Sequence, residues 1–99
     1  MEKKTAHYPL ADVKALVEEN RVSATRSALA GAASLGLDFE AMKEVIRNLE
    51  VGDLYKSMTS RNSHTVWQDV YRFPSATAGD IYVKLSVIDH VLIVSFKEL

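Results

Sequence analysis

An α+β fold, with three N-terminal helices packed on a C-terminal antiparallel sheet of about four strands, is predicted by three observations on this 99-residue chain. Apolar residues recur at helical spacing as far as Gly52 and alternate in strand fashion after it. Residues 80–98 are dominated by β-branched residues interrupted only by Asp89-His90, which reads as two strands and a tight turn. No repeat, linker or low-complexity segment divides the chain, so residues 1–99 are expected to form a single domain with one modest core.

Leu10, Val13, Leu16 and Val17 predict a first helix over about residues 9–19, with Pro9 permissible in the first turn and Asn20 as its stop. Arg21-Val22-Ser23 is too short to assign. Thr25 is placed to cap a second helix running to Leu35 and closed by Gly36, with Ala28, Leu29, Ala32 and Ala33 as a small-residue packing face. Asp38 caps a third helix whose Met42, Val45, Ile46 and Leu49 follow the i, i+3, i+4, i+7 pattern, ending near Gly52. Folding accounts for all of residues 1–52.

Residues 54–59 and 65–72 read as strands around the polar loop 60–64, and residues 74–79 as a second loop. With Asp89-His90 as a two-residue hairpin loop, Ile88 pairs with Val91 and every further pair keeps the same index sum. Tyr82 then faces Lys97, and Lys84 faces Ser95 as a diagonal neighbour of Lys97 at about 7–8 Å. The other face sets Ile81, Val83, Leu85 and Val87 against Leu92, Val94 and Phe96 as the expected core.

Composition narrows the chemistry. The net charge is −1, with 7 basic against 8 acidic residues in positions 1–50 and 5 against 5 in positions 51–99. Binding to nucleic acid therefore requires a local cationic patch. Without cysteine there is no disulfide and no thiolate metal site. With no apolar run of membrane-spanning length and no signal-peptide pattern, the cytoplasm is the expected compartment. His7, His64 and His90 stand alone, so no metal site is expected. No glycine-rich phosphate loop, nucleophile elbow or pair of inward carboxylates is present.

What remains is the group Lys56, Gln68, Arg72, Tyr82, Lys84 and Lys97. Attack of an RNA 2′-hydroxyl on its own phosphate needs a base, a cation for the developing charge and an acid for the leaving oxygen, but no cofactor. Crowded lysines lose protons more easily, so one can act as base while a neighbour stays charged. Tyr55, Met58, Trp67 and Tyr71 are candidate stacking surfaces for single-stranded bases, although residues such as Trp67 and Tyr71 are more often part of a core. A solvated sheet face accounts for the same polar pattern. The competing function is a non-catalytic protein-binding module that uses a sheet edge.

The chain resembles the MqsR-type toxins of bacterial type II toxin–antitoxin pairs almost end to end. The resemblance is carried by Met1-Glu2-Lys3, His7, Thr25-Arg26-Ser27-Ala28-Leu29, Leu35-Gly36-Leu37-Asp38-Phe39 and Tyr55-Lys56-Ser57-Met58-Thr59. It continues through His64-Thr65, Trp67-Gln68-Asp69-Val70-Tyr71-Arg72 and Val91-Leu92-Ile93-Val94-Ser95-Phe96-Lys97-Glu98. It implies a RelE-like fold and a metal-independent endoribonuclease that cuts mRNA with a preference for GCU. It also implies an MqsA-type antitoxin partner, a zinc-containing protein with a DNA-binding domain. The family's active-site residues fall on Lys56, Gln68, Tyr82 and Lys97. Lys56, Lys97 and Arg72 are then expected to hold the scissile phosphate, Tyr82 or a lysine to transfer protons, and Gln68 to orient phosphate or base. Tyr55 and Met58 are further expected substrate contacts. The chain departs from the family pattern in a longer loop at residues 73–79 and in the order Asp89-His90.

Overall fold

The computed structural model describes residues 1–99. In chain order the elements are β1 (Glu2–Lys3), α1 (Leu10–Glu18), β2 (Val22–Ala24), α2 (Arg26–Ser34), α3 (Phe39–Asn48), a 3₁₀ turn (Val51–Asp53), β3 (Leu54–Ser60), β4 (Ser63–Ser75), β5 (Gly79–Ile88) and β6 (His90–Glu98). The three helices sit close to their expected positions. Thr25 Oγ1 accepts from Ala28 N at 3.1 Å and Asp38 Oδ1 from Ala41 N at 2.8 Å, so both predicted caps form. Asn20 and Gly36 stop their helices at φ 60° and 76°, in the left-handed region. The third helix ends earlier than expected: Leu49 is already extended, and residues 51–53 form a separate 3₁₀ turn.

The helices do not precede the sheet as a block, nor is the sheet wholly antiparallel. One short strand precedes the helices and another lies between the first two, and with the four long strands they make a six-stranded mixed sheet of order β1-β3-β4-β5-β6-β2. β1 pairs antiparallel with β3, whereas β2 pairs parallel with β6. Strands of two and three residues carry no periodicity and exist only because longer neighbours supply their hydrogen bonds. β4 is longer than expected at both ends and contains Pro74. Beyond Tyr71 it has no partner on the β3 side, so the N–H that proline lacks is not needed there.

The β5–β6 hairpin forms the expected pairs at its open end, Tyr82 with Lys97 and Lys84 with Ser95, by a route the pattern did not show. Its turn is tighter, pairing Ile88 with His90 around Asp89 at φ 64°. That shifts the pairing by one residue, and a β-bulge beyond Leu85–Ile93 restores it before Lys84–Ser95. Thr25 secures the bulge: its N–H donates to Ile93 O at 3.0 Å and its hydroxyl to Val94 O at 2.9 Å. Because each one-residue shift exchanges the faces, Val91 and Ile93 are buried where Leu92 and Val94 had been expected.

All three helices pack on one face of the sheet. Sixteen buried residues form the core cluster, from Leu10 on α1 through Met42 and Ile46 on α3 to Ile81, Val83, Leu85 and Phe96 on the strands. Ala28 and Ala32 are buried within α2, while Leu29 and Ala33 face outward. Gly31 completes that packing face, since a Cβ there would lie 2.0 Å from Phe96 O. No helix is long and apolar enough to cross a membrane.

Candidate active site on the open sheet face

The sheet face opposite the helices carries the expected site residues in three cross-strand rows. Arg72, Tyr82 and Lys97 form the first row across β4, β5 and β6. Lys56, Val70, Lys84 and Ser95 form the second across β3 to β6. Glu2, Met58 and Gln68 form the third across β1, β3 and β4. Alternation along each strand puts all of these on one surface. Val70 lies fully buried beneath its long neighbours and gives the patch an apolar floor.

Aromatic rings hold the cations in place. The Arg72 guanidinium lies 4.0 Å from the Tyr55 ring centroid, with Lys56 Nζ 5.5 Å from the same ring. Lys97 Nζ is 5.1 Å from the Tyr82 ring. Tyr55 reaches this face from an irregular position between Leu54 and Lys56, where the β3–β4 register shifts. Beside Tyr55 and Arg72 opens a cleft of about 340 Å³, also lined by Leu54, Pro74 and Asp80. Lys56, Gln68, Tyr82, Lys97, Tyr55, Met58 and Arg72 are thus all brought to one surface.

Trp67 and Tyr71 belong to the helix side. Tyr71 is buried in the core, where burial first and then Asp69 push its phenol up to about 12. Trp67 stacks on His7, with ring centroids 5.0 Å apart and planes 11° from parallel, and Lys3 Nζ lies 4.3 Å from its ring. Neither is a stacking platform on the cationic face.

Glu2 is the functional neighbour that sequence reasoning missed. Its Oε1 lies 2.6 Å from Lys56 Nζ. The N-terminal segment that delivers it is tied down at several points. Asp69, buried in β4, accepts backbone N–H bonds from His7 at 3.0 Å and Tyr8 at 2.9 Å, and the Tyr8 hydroxyl donates to Trp67 O. The terminal amine donates to Thr59 Oγ1. Only the pairing of a two-residue strand brings Glu2 to Lys56, and no sequence period announces such a strand.

The electrostatics separate the groups. The hydrogen bond and charge of Lys56 hold the Glu2 carboxyl below its ordinary range, and the Glu2 hydrogen bond holds the Lys56 ammonium above its own. Burial raises the Tyr82 phenol, with the nearby Lys56 charge opposing. Lys84 is shifted the other way: burial lowers it first, and Lys97, Arg61 and Lys56 add repulsion. The surface therefore carries two lysines shifted in opposite directions, Lys56 toward the ammonium and Lys84 toward the amine, beside a phenol shifted toward its protonated form. No group of three His, Cys, Asp or Glu side chains is clustered as a metal site.

The fold and this face define a small α+β protein whose open sheet surface gathers cations, tyrosines and a glutamine. Residues 5–98 match the family described as motility quorum-sensing regulator, toxin of MqsA. The mRNA interferase toxin MqsR of Escherichia coli (strain K12) is 55% identical over 98 residues, covering 99% of each chain. The chain belongs to the MqsR toxin family.

Proposed function

We propose that this toxin is an endoribonuclease that cuts single-stranded mRNA by metal-independent attack of a 2′-hydroxyl on the adjacent phosphate, with a preference for GCU. The row Arg72–Tyr82–Lys97, with Lys56 beside it, is the observation that carries this reading. Arg72, Lys56 and Lys97 neutralise the phosphate and the charge that develops on it. Tyr82 keeps its proton at neutral pH as an ordinary phenol does, and burial shifts it further the same way, so it donates a proton to the leaving 5′-oxygen rather than acting as base. Gln68 orients the phosphate or an adjacent base. Tyr55 and Met58 contact bases, and the cleft beside Tyr55 has room for one.

The whole chain acts as one toxin domain with a RelE-like arrangement, a reading supported by a core that draws on helices and strands alike. It works in the cytoplasm, where its substrate is, and a cognate MqsA-type antitoxin neutralises it, in keeping with the family description. A non-catalytic module built on a sheet edge is less well supported, since it gives no role to the cations and aromatic rings gathered on the open face. The test is cleavage of a short RNA by Lys56→Ala, Tyr82→Phe and Lys97→Ala proteins shown to be folded. Each is expected to lose activity, by about 10²–10⁴-fold where proton transfer is removed. Wild-type cleavage by all three would overturn the assignment.

A further inference from the structure

The expected catalytic set lacks a convincing proton acceptor. Lys56 is ion-paired to Glu2 and stays an ammonium, Tyr82 stays a phenol, and the Gln68 amide does not titrate. Lys97 is exposed and shares a row with Tyr82, its amine 5.1 Å from the phenol ring. In an in-line displacement the attacking and leaving oxygens lie on opposite sides of phosphorus, so acceptor and donor must flank the phosphate rather than share one side of it.

One side chain meets that requirement. Lys84 stands two residues along β5 from Tyr82, on the same face and one row further on, with backbones about 6.8 Å apart by strand rise. It is half-buried at the centre of the patch, with Val70 on one side and Ser95 on the other, and no carboxylate pairs with it. We propose that Lys84 is a further catalytic residue, the neutral amine that takes the proton from the attacking 2′-hydroxyl. The inference rests on the ribonuclease reading above and supplies its missing base.

The step balances without any added reactant. The O2′–P bond forms as the O2′ proton passes to Lys84 Nζ, the P–O5′ bond breaks, and the Tyr82 hydroxyl gives its proton to O5′. The products are a 2′,3′-cyclic phosphate and a 5′-hydroxyl, and exchange with water resets both side chains. The surroundings of Lys84 favour the neutral amine. The charged and titratable groups on its side of the sheet are Lys97, Lys56, Arg61, Arg72, Lys4, Tyr55, Tyr82, Glu2 and Asp80. Of the two acids, Glu2 is engaged by Lys56, and Asp80 lies four residues along β5 from Lys84, beside the Tyr55–Arg72 cleft. Burial and those cations draw the Lys84 proton away, whereas Lys56, with its acid in contact, moves in the opposite direction.

The test compares wild type with Lys84→Arg and Lys84→Ala in single-turnover cleavage of a short single-stranded RNA containing GCU, from mildly acidic to alkaline pH. Thermal melts and RNA-binding titrations accompany each variant. Arginine keeps the charge and reach of lysine but does not deprotonate in proteins. The wild-type rate should climb with pH and level off below the ordinary lysine value of about 10.4. Lys84→Arg should bind RNA normally yet cut about 10²–10⁴-fold more slowly, without the rising limb. Ethylamine added to Lys84→Ala should restore part of the rate. Lys84→Arg with the wild-type rate and pH limb would overturn the proposal and leave Lys84 a phosphate-holding cation. A folded wild-type protein that binds RNA without cutting it would overturn the ribonuclease reading itself, and this assignment with it.

Discussion

Asp69 offers a quantitative test of how the N-terminal segment is held over the site. Its carboxylate is fully buried and receives the backbone N–H groups of His7 and Tyr8 at 3.0 and 2.9 Å. Hydrogen bonds to a charged acceptor contribute about 1.5–3 kcal/mol each. After truncation to alanine the exposed His7 amide can be rehydrated, which places the expected loss at about 2–4 kcal/mol rather than twice the upper figure. For a domain of this size that corresponds to a fall in Tm of about 10–20 °C. Asp69→Asn keeps one acceptor oxygen and turns an amino group toward the second N–H, so it should cost almost as much. Urea or thermal unfolding measures the loss, and hydrogen exchange locates it: the His7 and Tyr8 amides should exchange freely while those in the middle of β5 remain protected. A loss below about 1 kcal/mol with both amides still protected would refute this account of the anchor.

Four further outcomes follow from named contacts. Tyr82→Phe should leave the melting curve nearly unchanged and reduce cleavage by about 10²–10⁴-fold in a single-turnover assay. Gly31→Ala should destabilise the protein by about 1–3 kcal/mol despite alanine's better helix propensity, because its Cβ would lie 2.0 Å from Phe96 O, and unfolding curves would measure this. The Glu2–Lys56 pair should support stability only between two pH limits. The Glu2 contribution is complete above 4.5 and lost as pH falls through its lowered value, and the Lys56 contribution is complete below 10.5 and lost as pH rises through its raised one. NMR titration of wild type against Glu2→Gln checks both signs. The same variant, having lost an acidic group from the cationic face, should bind single-stranded RNA more tightly at low salt, read by fluorescence anisotropy.

Much of the site was legible because its residues lie on long strands. Tyr82 and Lys97 face each other as alternation predicts, although two one-residue departures, the tighter turn at Asp89 and the bulge near Val94, cancel to give that result. Between the two departures the prediction fails, and Ile93 rather than Val94 enters the core. The bulge depends on Thr25, 69 positions away in sequence, which no local pattern conveys. Caps at Thr25 and Asp38 were visible because a capping side chain acts within three residues of itself. β1, β2 and the placement of Glu2 on Lys56 were not, since they arise from partners distant in sequence. Lys84 was visible as one of a cationic group, but its separation from the other lysines required knowing that Glu2 sits on Lys56 and not on Lys84.

The most direct test of the central claim is to incubate the purified protein, in EDTA, with a short single-stranded RNA containing one GCU, beside the Lys97→Ala variant. The account predicts a cut at that triplet by the wild type, leaving a 2′,3′-cyclic phosphate, and its loss in the variant. Equal cleavage by both proteins would contradict the placement of the chemistry on this sheet face, and cleavage by neither would contradict the chemistry itself.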